Sequence, residues 1–383
     1  MKKYSLYILF LMGLGAMAGS CTNLDEKIYD RLVDNNFYKN EKDIIAAITP
    51  VYTDYRGLLE WRKWWDFEET TDVAVTPRAA WFDGGIYIRL HKHTWKPEDP
   101  HFSDLWGQAY GGISNCNRVI YQLDNLDFEV TGKADEVKTG STIYMALQKT
   151  LHPSNVKTFN LQTWLDNGVC AVPTFIDTYE EGDKRLPKTW RMGQQYGSDG
   201  SILYCTGLVP GWEGKPLIYT KEVSNLENGG EAEGYRCGKY EIKMGTSRAL
   251  DNDWVAMRYA EVYLMKAECI LRTNGNAEEA AQLVNEVRKR AFDGDNKLSG
   301  ADLLKTTNVN GVPVRFGILL DEWGREFALE GLRRSQLIRF DNNYTKGEWT
   351  FHEPSKETYL NLFPIPLSEI QANNKLEQNE GYK

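Results

Sequence analysis

The chain contains no CxxC pair, no glycine-rich phosphate loop and, after residue 20, no apolar run long enough to cross a bilayer. Cys116, Cys170, Cys205, Cys237 and Cys269 stand far apart, which argues against a zinc knuckle, and their odd number argues against a full disulfide framework. Nucleotide and serine-hydrolase patterns fail on particular residues. Gly214-Lys215 is followed by Pro216, and Gly112-Ile113-Ser114-Asn115 ends in Cys116 where a glycine is needed. An excess of positive charge is also missing: 45 Lys and Arg face 54 Asp and Glu, a net charge of -9, so nucleic acid is a poor partner.

What is present begins with Lys2 and Lys3 ahead of an apolar run from Leu6 to Leu14, followed by small residues up to Cys21. This reads as an export signal over residues 1–20, too short to span a bilayer and expected to be cleaved. Cleavage removes two lysines and no acids, taking the net charge to -11. Ala18-Gly19-Ser20 before Cys21 resembles a bacterial lipoprotein signal, although Ala18 stands where that pattern prefers Leu. Lipidation of Cys21 would anchor the protein to a membrane, with residues 21–36 as a polar tether.

Asn40 can cap a helix in which Ile44, Ile48, Val51 and Tyr55 recur at helical steps, and Pro50 is expected to kink or split it. A second helix over about 103–123 carries Leu105, Ala109, Ile113, Asn117 and Ile120 on one stripe. Gly107, Gly111 and Gly112 let it approach the first helix closely. Between them Asp83-Gly84-Gly85 signals a turn, and Ile86, Ile88 and Leu90 alternate with Tyr87, Arg89 and His91, which predicts one strand of an inserted hairpin. From Phe128 to about Asp251 Gly, Pro, Trp and Tyr are scattered without a lasting period, the pattern of loops and short strands. Helical periodicity returns over 254–271 and, after Asn274-Gly275, over 277–292, the length of a tetratricopeptide hairpin. Another helix is expected over 317–340, and the tail from Asp341 is loop-like.

Three C-terminal stretches, MRYAEVYLMKAECILRTNG with LVNEVRKRAF, LDEWGREFALEGLRRSQLIRF, and NLFPIPLSEI with LEQNEGY, resemble the signatures of the SusD/RagB family. DEKIYD, the 76–95 stretch and WGQAYGGISNCNRVIYQL resemble its N-terminal half, in family order. The resemblance implies an outer-membrane lipoprotein of Bacteroidetes that binds glycans or other nutrients for a SusC-like TonB-dependent transporter. It also implies a mainly α fold, a solenoid of tetratricopeptide-like hairpins with a loop-rich, short-strand binding face, no catalysis and no required cofactor or metal. The expected division is a signal at 1–20, a tether at 21–36, helices with an inserted hairpin at 37–127, a loop-rich middle at 128–251, and the C-terminal helical region at 252–383. The middle departs from the family pattern: after QLDNLDF the chain passes quickly to TLHPSNVKTFNLQTW, and the helical hairpins usually found between them are missing. Each helical repeat buries its face against neighbours, so such a gap leaves apolar surface uncovered.

For a glycan the residue types that matter are aromatics on loops, whose flat apolar faces cover the C–H side of a pyranose while polar neighbours bond its hydroxyls. Trp81 before the Gly-Gly turn, with Arg78 and Asp83 beside it, is the leading candidate. Trp190, Tyr196, Trp212 and Tyr235, each near Gly or Pro, are further ones. His91 and His93, two apart on the expected strand, could share a divalent ion with Asp83, Asp99 or His101, but hydrogen-bonded structural histidines are the ordinary reading of that pair. Glu322, Glu326 and Glu330 form a four-residue stripe, and a glycosidase would need two opposed carboxylates, one of them with a raised pKa. Ion pairing, for Glu330 with Arg333 or Arg334, explains it more simply.

Overall fold

The computed structural model describes residues 41–59, 62–77, 83–124, 150–247, 255, 257–294 and 296–383. Cys21, Asn40, Arg78, Trp81 and Trp254 lie outside them. The chain divides into a small unit, Met1–Pro50 with Asn115–Asp135, and a large one, Val51–Ser114 with Glu136–Lys383. In the small unit Ile44, Ala47 and Val119 are buried.

Helix α1 (Glu41–Leu59) runs through Pro50 without being split, which corrects the expected break. Helix α2 (Arg62–Glu69) leads into strand β1 (Ala74–Val75). A 3-10 turn at Asp83–Gly85 then opens helix α3 (Ile86–His91), not a strand. The reason lies in burial: Ile86, Tyr87, Leu90 and His91 are the inward residues, a helical set that the apparent alternation disguised. Helix α4 (Pro100–Asp124) packs on the second half of α1, where Gln108 Nε2 donates to the Asp54 carbonyl at 3.0 Å. Its expected apolar stripe is only partly covered. Phe102 and Leu105 are buried, while Ile113, Ile120 and Tyr121 face solvent, as do Tyr52 and Tyr55 on α1. These are surfaces that a further helical layer would normally bury.

From residue 150 the chain consists of short pieces: helices α5 (Val156–Phe159), α6 (Pro173–Ile176) and α7 (Arg185–Thr189), with strands β2 (Cys170–Ala171), β3 (Trp190–Arg191), β4 (Gly193–Gln194), β5 (Ile218–Tyr219) and β6 (Arg236–Cys237). The strands pair antiparallel as β1 with β2, β3 with β6 and β4 with β5. Helices α8 (Tyr259–Arg272) and α9 (Ala277–Arg288) form the expected hairpin, burying Leu264, Ala267 and Leu271 against Ala280, Ala281, Val284 and Val287. Asn276 caps α9 by accepting from Glu278 N.

Helix α10 (Gly300–Leu303) is followed by a hairpin of β7 (Thr306–Val309) and β8 (Val312–Arg315), turned at Asn310-Gly311 with both residues at positive φ. The helix expected over 317–340 is two: α11 (Gly317–Phe327) and α12 (Arg333–Arg339). The break falls where Leu329 and Gly331 take positive φ, and the Gly331 amide donates to the Glu68 carboxylate instead of continuing a helix. Short helices α13 (Asn343–Lys346) and α14 (Leu367–Ala372) complete the tail. The main core joins α3, the start of α4, α8, α9, α11 and α12 through Leu264, Val284, Leu319, Trp323, Phe327 and Leu337.

The Glu322 stripe turns inward rather than toward a substrate. Glu322 is fully buried and accepts from Arg185 at 2.7 Å, Arg288 at 2.8 Å and Arg325 at 2.7 Å. Glu326 pairs with Arg185, Arg258 and Arg290. Glu330 pairs with Lys239 and Arg258, not with Arg333 or Arg334; Arg333 is committed to Asp72 at 2.7 and 2.8 Å. Burial alone would raise the Glu322 carboxyl, but Arg325, Arg185 and Arg288 outweigh it and hold it far below the usual range.

Glu322→Ala is expected to cost about 3–5 kcal/mol in urea denaturation, because three guanidinium groups lose a buried counter-charge. Glu68 behaves oppositely: burial raises it from 4.5 to about 8, against the lowering effects of the Gly331 amide and Arg333. The folded chain therefore keeps this proton while the unfolded chain loses it, and the contribution to stability falls as pH rises from 4.5 to about 8. Glu68→Gln should gain on wild type progressively between pH 5 and 8 in urea midpoints; parallel pH profiles would contradict this.

Candidate functional site

The loop-rich region 150–247 hangs on one buried pair. His152 Nδ1 accepts from Ser154 N at 3.0 Å, which leaves the proton on Nε2 to donate to Glu231 Oε1 at 2.6 Å. The same oxygen accepts from Thr206 N at 2.5 Å and Thr206 Oγ1 at 3.0 Å. Glu231 Oε2 accepts from Gly207 N at 3.0 Å and Val209 N at 3.4 Å. One carboxylate thus gathers the loop that carries Trp212. Burial would raise Glu231, but the bonds from His152 and Thr206 prevail and its pKa lies below the ordinary value. Burial likewise keeps His152 below its ordinary value despite Glu231.

His152, Cys205 and Glu231 place their ligand atoms within 4.8 Å of one another, yet they do not fit a metal. Both histidine nitrogens are bonded, the carboxylate already has its donors, and burial raises the Cys205 thiol to about 11. The trio is an anchor.

The segments around β4 and β5 are joined by the bridges Tyr196–Ile202 and Tyr204–Pro216. Leu203, Cys205, Leu217 and Tyr219 point into a small core. By the two-residue alternation of strands, Tyr196, Ile202 and Tyr204 share the opposite face, at 50%, 45% and 49% exposure. Ser154 Oγ donates to the Tyr204 carbonyl and Thr158 Oγ1 to the Tyr196 carbonyl, so α5 and the turn before it brace the backbone behind both rings.

The other predicted residues are sorted by this geometry. Trp190 is removed as a contact residue: it is 1% exposed, its Nε1 donates to Tyr179 Oη at 3.2 Å, and strand pairing beside Cys237 turns it inward. Trp212 is half-buried, with Lys215 Nζ 4.6 Å from its ring centroid and its indole lying over Gly230, where a side chain would collide with it. Tyr235 is half-buried between two apolar clusters. Asp83 stands half-buried at the head of the 3-10 turn, while Arg78 and Trp81 fall outside the described residues. Tyr204 was missed, although its alternation with Leu203 and Cys205 was visible.

His91 and His93 are buried and enclosed by Trp95, Tyr344, Trp349, Phe351 and His352. Two of the three third ligands suggested for them are engaged elsewhere: Asp99 with Arg89, and His101 with Asp66 at 2.7 Å.

The fold is thus mainly helical, with a tetratricopeptide-like hairpin and a loop-rich region of short strands. The SusD family model matches residues 171–382, more than half the chain, and the protein belongs to the SusD family. The chain is 35% identical over 205 residues to the starch-binding protein SusD of Bacteroides thetaiotaomicron, a match covering 51% of this chain and 33% of that protein. It is 35% identical over 138 residues to SusD-like protein P25 of Formosa agariphila, covering 34% and 25% respectively, so only a third or less of these relatives' length is spanned. Among solved structures it resembles a SusD superfamily protein from Parabacteroides distasonis (TM-score 0.60, 15% identity, 92% of this chain and 100% of that one). Surface glycan-binding protein A from Bacteroides thetaiotaomicron gives 0.61 at 14% identity, over 90% of this chain and 100% of that one.

Glu231→Ala should remove about 3 kcal/mol of stability, since the buried His152 and three loop amides lose their shared acceptor. Hydrogen exchange should show the amides of Thr206, Gly207 and Val209 losing protection first. Unchanged protection there would disprove the anchoring role.

Proposed function

We propose that the protein binds a glycan on the open face bearing Tyr196 and Tyr204 and delivers it to a SusC-like TonB-dependent transporter, without catalysis. The observation that carries this reading is a pair of half-exposed tyrosines on one side of a ribbon whose other side is buried. Such rings offer flat apolar area with a hydroxyl at the edge, suited to a sugar's mixed surface. Trp212, on the loop gathered by Glu231, is a further contact candidate, and Trp81 with Arg78 and Asp83 provides a second contact group. The family membership and the solved complex of surface glycan-binding protein A with laminarihexaose support the choice of a glycan.

In this reading residues 1–20 are an export signal, 21–36 a tether lipidated at Cys21, and the protein sits on the outer membrane. Glu322, Glu326 and Glu330 are each matched by cations, and the Glu322 and Glu330 carboxyls are held below their ordinary value, the opposite of the raised acid that a glycosidase needs. Affinity at a face open to water should be modest.

Screening purified residues 22–383 against diverse polysaccharides tests the proposal. Tyr196→Ala and Tyr204→Ala should each weaken binding about fivefold to tenfold, equivalent to roughly 1 kcal/mol, with circular dichroism unchanged. Trp81→Ala without effect would remove the second contact group. Release of reducing ends from a bound polysaccharide would favour a glycoside hydrolase, and absence of any binding would favour a role limited to bracing the transporter.

A further inference from the structure

Helices α8 and α12 leave between them a cavity of about 320 Å3, which Trp323 of α11 also lines. Trp323 and Gln336 are each 1% exposed, yet Trp323 Nε1 and both ends of the Gln336 carboxamide are buried with no hydrogen-bond partner among the described residues. A buried polar group left unbonded costs free energy, and three such atoms on one cavity ask for a common explanation. They cannot satisfy one another, because the indole brings one N–H and the amide two, against the single acceptor Gln336 Oε1. Even with Trp323 Nε1 turned onto that oxygen, two N–H groups would be left over, in a space far larger than one water needs.

The rest of the lining excludes a charged occupant. Arg272 donates to Glu268 at 2.8 Å, and Arg339 donates to both Glu268 oxygens at 2.9 and 3.1 Å, so these cations already hold a carboxylate. With Glu261 the lining carries two acids and two arginines, and its formal charge cancels. Met265 and Leu332 add apolar wall. The volume lies at the low end of small-molecule sites, about 300–1,000 Å3, which suits one ring rather than a chain of them. The occupant called for is therefore small, neutral and able to accept at least two N–H bonds.

We propose that this cavity binds the acetamido end of an N-acetylated hexosamine. The acetamido carbonyl has two lone pairs, one for Trp323 Nε1–H and one for a Gln336 Nε2–H, and its methyl group suits the wall of Met265 and Leu332. A trans secondary amide turns its N–H away from its carbonyl, so it cannot return a bond to the same carboxamide. A hydroxyl on the neighbouring ring carbon can, by donating to Gln336 Oε1, which favours a sugar over a simple amide. Glu261, half-buried in the lining, offers an acceptor to the amide N–H. This site is separate from the tyrosine face and does not depend on it.

The test uses the full mature chain with N-acetylglucosamine as the probe, in calorimetry and saturation-transfer NMR. A Kd of ~1 mM is expected for a single sugar ring, with the acetamido methyl receiving the strongest transfer. Glucose, which has no amide, and glucosamine, which carries an ammonium there, should bind at least about 10-fold more weakly. Gln336→Leu removes the unbonded polar ends and keeps the bulk, so it should hold or raise Tm while weakening binding at least about 10-fold. If that variant does not fold, Cys269→Trp decides instead: it lies at an exposed position of the lining, and filling the cavity there should give the same loss. No binding of the probe, equal binding of glucose, or binding that survives the folded variant would overturn the assignment. N-acetylglycinamide binding as tightly as the sugar would also overturn it, in favour of a peptide amide. Binding should persist in Tyr204→Ala; its loss there with retention in Gln336→Leu would move the sugar to the tyrosine face and remove this site. Failure of every polysaccharide in the screen, with the probe still bound, would count against the tyrosine face alone.

Discussion

The large unit depends on one buried carboxylate, that of Glu322. Its three guanidinium partners come from α7 in the loop-rich region, α9 in the solenoid hairpin and α11 itself. A charge removed from water is tolerable only when paired and fully bonded, so these elements cannot separate without stranding it. Arg288 extends the link to Glu180 at 2.7 and 2.8 Å, and Arg185 to Asp183 and Glu326. The short pieces of the middle region have little helix or sheet of their own to define them. Their position is set by this shared electrostatic centre together with the apolar cluster around Trp190 and Phe175.

The helical frame was legible because burial follows a period. Leu264, Ala267 and Leu271 on α8, and Ala280, Val284 and Val287 on α9, recur as a solenoid hairpin requires, and Asn274-Gly275 marks the turn. The 86–91 stretch misled because six residues are too few to separate a period of two from one of 3.6. The break between α11 and α12 is not local at all: it depends on Glu68, distant in sequence, accepting the Gly331 amide. The β7–β8 hairpin was announced by Asn310-Gly311 and passed over.

The candidate site was legible in kind more than in position. Proximity to Gly and Pro selected Tyr196 and Trp190 equally, but strand register decides which ring meets solvent. Register is set by pairing partners far along the chain, which composition does not report. The exposed apolar residues of α1 and α4 are a separate matter. Tyr52, Tyr55, Ile113, Ile120 and Tyr121 are what a solenoid shows where a neighbouring layer is missing, in keeping with the shortened middle of the sequence.

Glu231 grips mostly main-chain N–H groups, those of Thr206, Gly207 and Val209. Main-chain donors are common to every residue except proline, so the anchor itself asks little of the side chains at positions such as Leu208 and Val209, although Gly207 and Gly211 are held to glycine by positive φ. The exposed face proposed to bind is in this respect an interchangeable panel on a fixed mount. If it holds a sugar, a change of preference would take a handful of loop positions, with neither the anchor nor the helical frame needing to adjust.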